Sequence, residues 1–424
     1  MFKSFIRKKI FFISALAVLV SISNAGKAQD IGYAHYILNT LTSKEFSGRG
    51  YVNDGGIKAA SFIRQQFDSL RLISISENFF QPFSFPVNTF PGKMEVSLDG
   101  KKLAPGDDYI VNPFSVGAEK KYVIEKLIHY SSEELFNKNP GKCYKIMQDS
   151  LPEAEKNMLF SDLLSGKIKS GAIIFLQPKK LTWSVAKDHY VIPVVSVFQY
   201  LVPDSVHQIE ISIDEKFIPG FQTQNILGTI KGRTNPDSFL VFSAHYDHLG
   251  MMGSETYFPG ANDNASGVSM LLNLAKYFSR KENQPGCSIA FIAFAGEEAG
   301  LMGSKYYTDH PLFPLSKIKF LINLDLLGTG DDGMMVVNAT EYPQQFHLLD
   351  SLNNVHHYLS KIGQRGKAKN SDHYWFTENG VPSFFFYTMG GIQAYHDIND
   401  KAATLPFTKF DDVFRLIIEF SKSF

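Results

Sequence analysis

The stretch Phe239-Leu240-Val241-Phe242-Ser243-Ala244-His245-Tyr246-Asp247-His248 decides how the rest of the chain is read. A short apolar run ends abruptly in two histidines and an aspartate, so a strand delivers polar side chains at its carboxyl end. The pattern recurs twice. Ser288 to Ala295 leads into Glu297 and Glu298, and Phe320 to Leu324 leads into Asp325. Between the first two runs, Val268, Leu271, Leu272, Ala275 and Phe278 stand at helical spacing. A further apolar run covers Val381 to Tyr387, and a last helix is expected over Lys409 to Phe420. This alternation predicts an α/β fold, a mixed, mostly parallel sheet flanked by helices. In such a sheet the strands' carboxyl ends converge on the crevice where ligands bind, so residues far apart in sequence share one pocket.

The residue types at those ends point to a metal. Glu297 and Glu298 follow an intensely apolar strand, where two unpaired carboxylates are costly to bury without a cation or protons. Asp263, within Gly260-Ala261-Asn262-Asp263-Asn264-Ala265-Ser266-Gly267 just before a helix, reads alone as a helix cap. Taken with the set, it reads as a ligand. Zinc accepts imidazole and carboxylate, and two zinc ions about 3.5–4 Å apart can share one carboxylate and one water. The groups suit such a pair: His245 and Asp325 on one ion, Glu298 and a later histidine on the other, Asp263 between them. Asp247, two residues after His245, is placed to hold that imidazole in the ligating tautomer. Glu297, beside a ligand but not itself bound, is placed to act as general base, moving a proton from the bridging water to a leaving amine.

Four strings carry a resemblance to a known family: AHYDHLG from Ala244, GANDNASG from Gly260, FAGEEAGLMGS from Phe294 and NLDLLG from Asn323. In order and spacing they resemble the co-catalytic zinc aminopeptidases that include bacterial leucyl aminopeptidase and aminopeptidase Y. The resemblance implies a zinc-exopeptidase fold, two zinc ions and peptide substrates. It also implies a last zinc histidine near the carboxyl terminus. Tyr395-His396-Asp397, followed by Asp400, matches that place and makes His396 the fifth ligand. Ser371-Asp372-His373 resembles the family's segment on the substrate side of the metals, so His373 is a candidate substrate contact. Phe46-Ser47-Gly48-Arg49 and the Ala-containing helix after it resemble the family's amino-terminal helices. Residues 29–90 and 216–424 therefore resemble the peptidase domain. Residues 91–215 resemble an inserted, smaller β-rich protease-associated domain, chiefly through GAIIFL at Gly171 and IPVVSV at Ile192. One departure is Lys401 after Asp400, where family members often carry Thr or Ser.

Outward from these motifs, the chain has 424 residues, enough for two or three domain-sized units. Forty-two basic residues balance forty-two acidic ones, which argues against a protein built to grip nucleic acid. Two cysteines cannot supply a disulfide scaffold, and Cys143 with Cys287 reads equally as a pair or as two separate buried thiols. Lys3, Arg7, Lys8 and Lys9 precede an apolar run from Ile10 to about Val20, then small residues at Ser23, Ala25 and Ala28. Residues 1–28 thus read as a cleaved secretory signal, which predicts a secreted or periplasmic protein with no stable membrane insertion. Residues from about 32 to 72 read as helical around a loop at Ser47 to Gly56. From about Gln81 the character turns Pro- and Phe-rich, and Met94, Val96 and Leu98 alternate up to a hairpin signal at Asp99-Gly100.

Other chemistries find little support. Gly328 to Gly333 matches a dinucleotide pattern by letters, but Asp331 and Asp332 repel a pyrophosphate and a strand-like Met334 to Val337 follows instead of a helix. No G-x-S-x-G elbow and no H-E-x-x-H occurs. His248 reads as structural. The expected function is a two-zinc aminopeptidase. The alternatives are a glutaminyl cyclase, which has the same architecture with a single zinc, and a non-catalytic peptidase-like binding protein, a class that loses metal ligands.

Overall fold

Nine strands form the principal sheet of the computed structural model, which describes residues 30–424. The predicted signal, residues 1–28, lies outside the described residues. At the centre, Cys287–Phe294, Asn235–His245, Ile318–Leu324 and Ser383–Thr388 run side by side, each parallel to its neighbour. Their side chains alternate between two apolar layers. Leu240, Phe242, Phe291 and Ile322 face a layer closed by the helices Ile31–Leu41, Gly55–Ser69, Gly267–Phe278 and Phe410–Ser421. Val241, Ile292 and Leu321 face a second layer shared with Tyr307 and Phe376 of the helices Met302–Asp309 and His373–Glu378. Burial on both faces explains why these strands read as nearly continuous apolar runs. Each such side chain contributes roughly 1.5–3 kcal/mol.

The flanks of the sheet turn antiparallel. Lys216–Ile230 pairs antiparallel with Cys287–Phe294, and Met334–Val337 with Ser383–Thr388. Phe80–Thr89 also belongs here, paired only with Lys216–Ile230. Its Phe83, Phe85 and Val87 point inward while Pro82 and Ser84 are exposed. A strand bonded on one side tolerates proline, which is why a Pro-rich segment that read as a change of unit at Gln81 is still sheet.

A second sheet of eight strands is built entirely within residues 94–213. It opens with the expected hairpin: Met94–Leu98 pairs with Lys101–Lys102 across Asp99 and Gly100, both at positive φ, as a tight two-residue turn requires. The chain enters and leaves this sheet through neighbouring strands, since Thr89 lies opposite Lys216. Its core also takes in Leu249, Met252 and Phe258 from a loop of the principal body. Cys143 and Cys287 are free and sit in separate cores, so the pairing left open by the sequence is not made. Among the described residues, no helix is long and apolar enough to cross a membrane.

Candidate functional site

Three adjacent parallel strands bring the first candidates into one row. His245 ends its strand, Glu297 and Glu298 follow the neighbour that ends at Phe294, and Asp325 follows the other neighbour, which ends at Leu324. Strands in a sheet lie ~5 Å apart, so chain ends at one edge are already close to coordination spacing. Asp263 arrives on the irregular turn Ala261–Ser266 between His245 and the helix Gly267–Phe278, and His396 on the loop after Ser383–Thr388. Asp263 is not a helix cap; its backbone is non-helical and its carboxylate points to the imidazoles.

The resulting cluster has a definite order. Asp263 Oδ1 lies 3.4 Å from His245 Nε2, and Asp263 Oδ2 lies 3.2 Å from His396 Nε2. On the first side, Asp325 Oδ1 is 3.4 Å from His245 Nε2; on the second, Glu298 Oε2 is 3.1 Å from His396 Nε2. A carboxylate oxygen of Glu297 is within 4.8 Å of donor atoms of His245 and Asp325. The structure therefore gathers His245, Asp263, Glu298, Asp325 and His396 in one buried cluster, with Glu297 at its edge.

Electrostatics follow from crowding. Among the described residues, the cationic partners within ion-pair range of these acids are imidazoles only. Burial opposes charge on both histidines, yet Asp325 and Glu297 hold His245 well above the usual histidine range, and Glu298 and Asp263 raise His396 to about 11. Burial is likewise overcome at Glu298, which His396 and His248 lower to about 2. At Glu297 burial prevails, reinforced by Glu298, Asp372 and Asp325, and its carboxyl rises well above the ordinary value. The cluster is thus balanced by protons, the arrangement that a divalent cation displaces when it binds.

Several supporting residues escaped the sequence reading. Asp247 was expected to hold His245 in its ligating tautomer, and the ring Nδ1 lies 3.2 Å from the Asp247 carbonyl and 3.8 Å from its carboxylate. That carboxylate is occupied elsewhere, accepting from the amides of Glu297 and Glu298 and from the Tyr51 hydroxyl. His248, read only as structural, bonds Glu298 through Nδ1 at 2.7 Å. Ser371 donates to Asp325 and accepts from Asn323, which in turn accepts from Ser243. Arg49 is fully buried and spends its donors on five carbonyls, those of Leu41, Tyr246, Pro259, Gly260 and Asp263. From the opposite pole, the Asp400 carboxylate accepts the amides of Asn262 and Asp263. The turn is tight enough that a Cβ on Gly260, at φ +59°, would stand 2.2 Å from the Asp263 carbonyl and 2.4 Å from the His248 ring. No local pattern marks most of these contacts, because they join segments that lie from 50 to 214 residues apart.

Known proteins resemble both the sequence and the fold. Residues 225–421 match the sequence profile of "Peptidase family M28". A "Probable zinc metalloprotease" of Pyricularia oryzae is 38% identical over 113 residues, 26% of this chain and 22% of the relative. "Aminopeptidase YwaD" of Bacillus subtilis is 32% identical over 204 residues, 46% of this chain and 42% of the relative. These alignments span less than half the length of either relative. A solved zinc aminopeptidase from Bacillus subtilis superimposes with a TM-score of 0.69 at 20% identity, covering 92% of this chain and 94% of that one. A peptidase M28 precursor from Shewanella amazonensis gives 0.70 at 16% identity, covering 93% of each. At such identities the structures speak to the fold, a mixed α/β architecture shared over nearly the whole described chain.

His373 is the candidate with no ion-pair contact to the cluster among the described residues. Its ring has no exposed surface, packs 5.3 Å from the ring of Phe385, and neither nitrogen makes a hydrogen bond among the described residues. The ring is enclosed in this structure, and a contact with substrate stays a proposal of the family resemblance. Burial pushes His373 from the ordinary 6.5 down to about 3. Between those values the unfolded chain binds a proton that the native ring refuses, so stability falls as pH drops below about 6.5. His373→Leu removes this term. In denaturant titrations, the variant's stability relative to the parent should rise by about 2 kcal/mol between pH 7 and pH 5; an unchanged difference would mean the imidazole charges freely in the native state.

Proposed function

We propose that the chain is a member of peptidase family M28, whose profile residues 225–421 match, and a zinc-dependent aminopeptidase that releases amino-terminal residues from peptides at a two-zinc centre. One observation carries the reading: Asp263 has an imidazole at each carboxylate oxygen, His245 on one side and His396 on the other. In this reading His245 and Asp325 hold one ion, Glu298 and His396 hold the other, and Asp263 spans both. The residues suit such a group. Two imidazoles and three carboxylates are donors that zinc takes, and the buried Asp325 Oδ1 accepts no hydrogen bond among the described residues. The same donors also accept other divalent ions.

Zinc bound there supplies polarisation of the scissile carbonyl and a water acidified to near neutral pH. Glu297 is the proton carrier in this scheme, taking a proton from the attacking water and giving it to the leaving amine. Its environment, apolar and crowded by acids, makes it hold a proton more readily than an ordinary carboxylate. Asp247 is a positioning residue: its carboxylate fixes the amides of Glu297 and Glu298, and its carbonyl leaves His245 Nε2 free to ligate. The reading assigns residues 29–90 and 216–424 to the peptidase unit and 91–215 to a protease-associated-like insertion. Residues 1–28 act as a signal that makes the protein secreted or periplasmic.

Metal analysis combined with a hydrolysis screen tests the whole reading. The purified protein should contain zinc and cleave an unblocked leucyl amide but not its amino-blocked counterpart; equal cleavage of both would contradict an exopeptidase, and cyclisation of a glutaminyl peptide would favour the cyclase alternative. Glu297→Gln should keep its metal while turnover falls by roughly 10²–10⁴, and near-normal turnover would remove the proton-carrier role. Asp263→Asn should weaken both ions by more than the roughly 10–100-fold that losing an outer partner costs. Full metal occupancy in that variant at limiting zinc would show that Asp263 does not span the pair.

A further inference from the structure

The two imidazoles at Asp263 are held in different ways. His245 finds its Nδ1 partner locally, in the carbonyl of Asp247 two residues on. His396 finds its partner 213 residues away, in the eight-stranded unit: His396 Nδ1 donates to the Trp183 carbonyl at 2.9 Å, and the Trp183 amide donates to the His396 carbonyl at 3.0 Å. A carbonyl only accepts, so this contact keeps a hydrogen on Nδ1 and turns Nε2 toward Asp263 and Glu298, the side on which a metal would be held.

The surrounding contacts make the pair a fastened joint. Lys180 Nζ donates to the carbonyls of Gln393 at 2.8 Å and Tyr395 at 2.6 Å and lies 3.4 Å from the Asp397 carboxylate, strapping the loop on both sides of His396. Trp183 is anchored in its own unit by Nε1 donating to Val111, and its ring stacks on Phe258 at 4.7 Å. The loop itself is irregular, and His396 sits at φ +57°, a backbone conformation that a non-glycine residue adopts at a cost unless its surroundings enforce it.

We infer that the segment Lys180 to Trp183 is a positioning element for His396, so that one half of the centre is completed by the inserted unit while the other half is self-contained. The inference rests on the two-zinc reading and deepens it: displacement of the inserted unit loosens one ion and spares the other. It assigns the insertion a role in metal retention, distinct from any contact with substrate.

Zinc titration against a competing chelator tests this on the full chain, with Lys180→Met as the probe and Lys180→Arg as the conservative rescue. Lys180 is partly exposed and outside both apolar cores, so the folded state should survive, as checked by an unchanged melting temperature of the metal-free protein. The expected result is two zinc steps in the parent, one step weakened roughly 10–100-fold in Lys180→Met with the other unchanged, and recovery in Lys180→Arg. Two steps matching the parent, or both steps weakened together, would overturn the positioning role while leaving the aminopeptidase reading intact. A parent that takes up no zinc overturns that reading, and this one with it, before any variant is made.

Discussion

Confining several carboxylates at one end of a buried sheet, with imidazoles as the counter-charges within ion-pair range among the described residues and the buried Arg49 behind them, is the constraint on which the rest of the structure depends. Asp263 sits at the middle of that crowd, an imidazole at each oxygen. Like charges so close and so dry do not coexist unless protons or cations intervene. The displaced titrations of Glu297, Glu298 and His396 are different expressions of this one condition. In the proposed reading, a site that trades protons for metal can also move a proton during hydrolysis, which would link its stability problem to its chemistry.

Much of the neighbouring chain keeps this crowd in register. Arg49 grips the Gly260 and Asp263 carbonyls while Asp400 grips the Asn262 and Asp263 amides, so the turn carrying the central carboxylate is held by opposite poles of its own peptides. Arg49 suits this task because its five donors are fixed in one plane and its charge survives burial, lying still at about 10. On the other side of the site, Asp247 holds the amides of Glu297 and Glu298, and the chain Ser243, Asn323, Ser371 steadies Asp325. These are fixed dipoles and hydrogen bonds, which cost no reorganisation when charge shifts in the site.

The fold was legible where local pattern and burial agree. Strands such as Ser288 to Ala295 and the helix from Val268 to Phe278 announce themselves because two-faced or one-sided burial imposes an apolar rhythm on the residues themselves. Phe80–Thr89 was harder, since its prolines mark an edge strand and a loop alike until the pairing partner is known. For His373 the sequence supplied a resemblance to a substrate-side segment, and the structure added its burial against the ring of Phe385.

By itself the sequence determined the α/β class, the strand ends that bear His245, Glu297, Glu298 and Asp325, and the kinship of Asp263 and His396 with them. The strand-end residues follow from residue type and position, whereas His396 joined the set only through the family resemblance. Only the tertiary structure decided that Asp247 serves the site mainly through the Glu297 and Glu298 amides, that His248 braces Glu298, and that Trp183 braces His396. It also separated Cys143 from Cys287. The physical reason is that backbone carbonyls and amides do much of this positioning, and every residue carries them, so no letter in the sequence can mark which ones will meet.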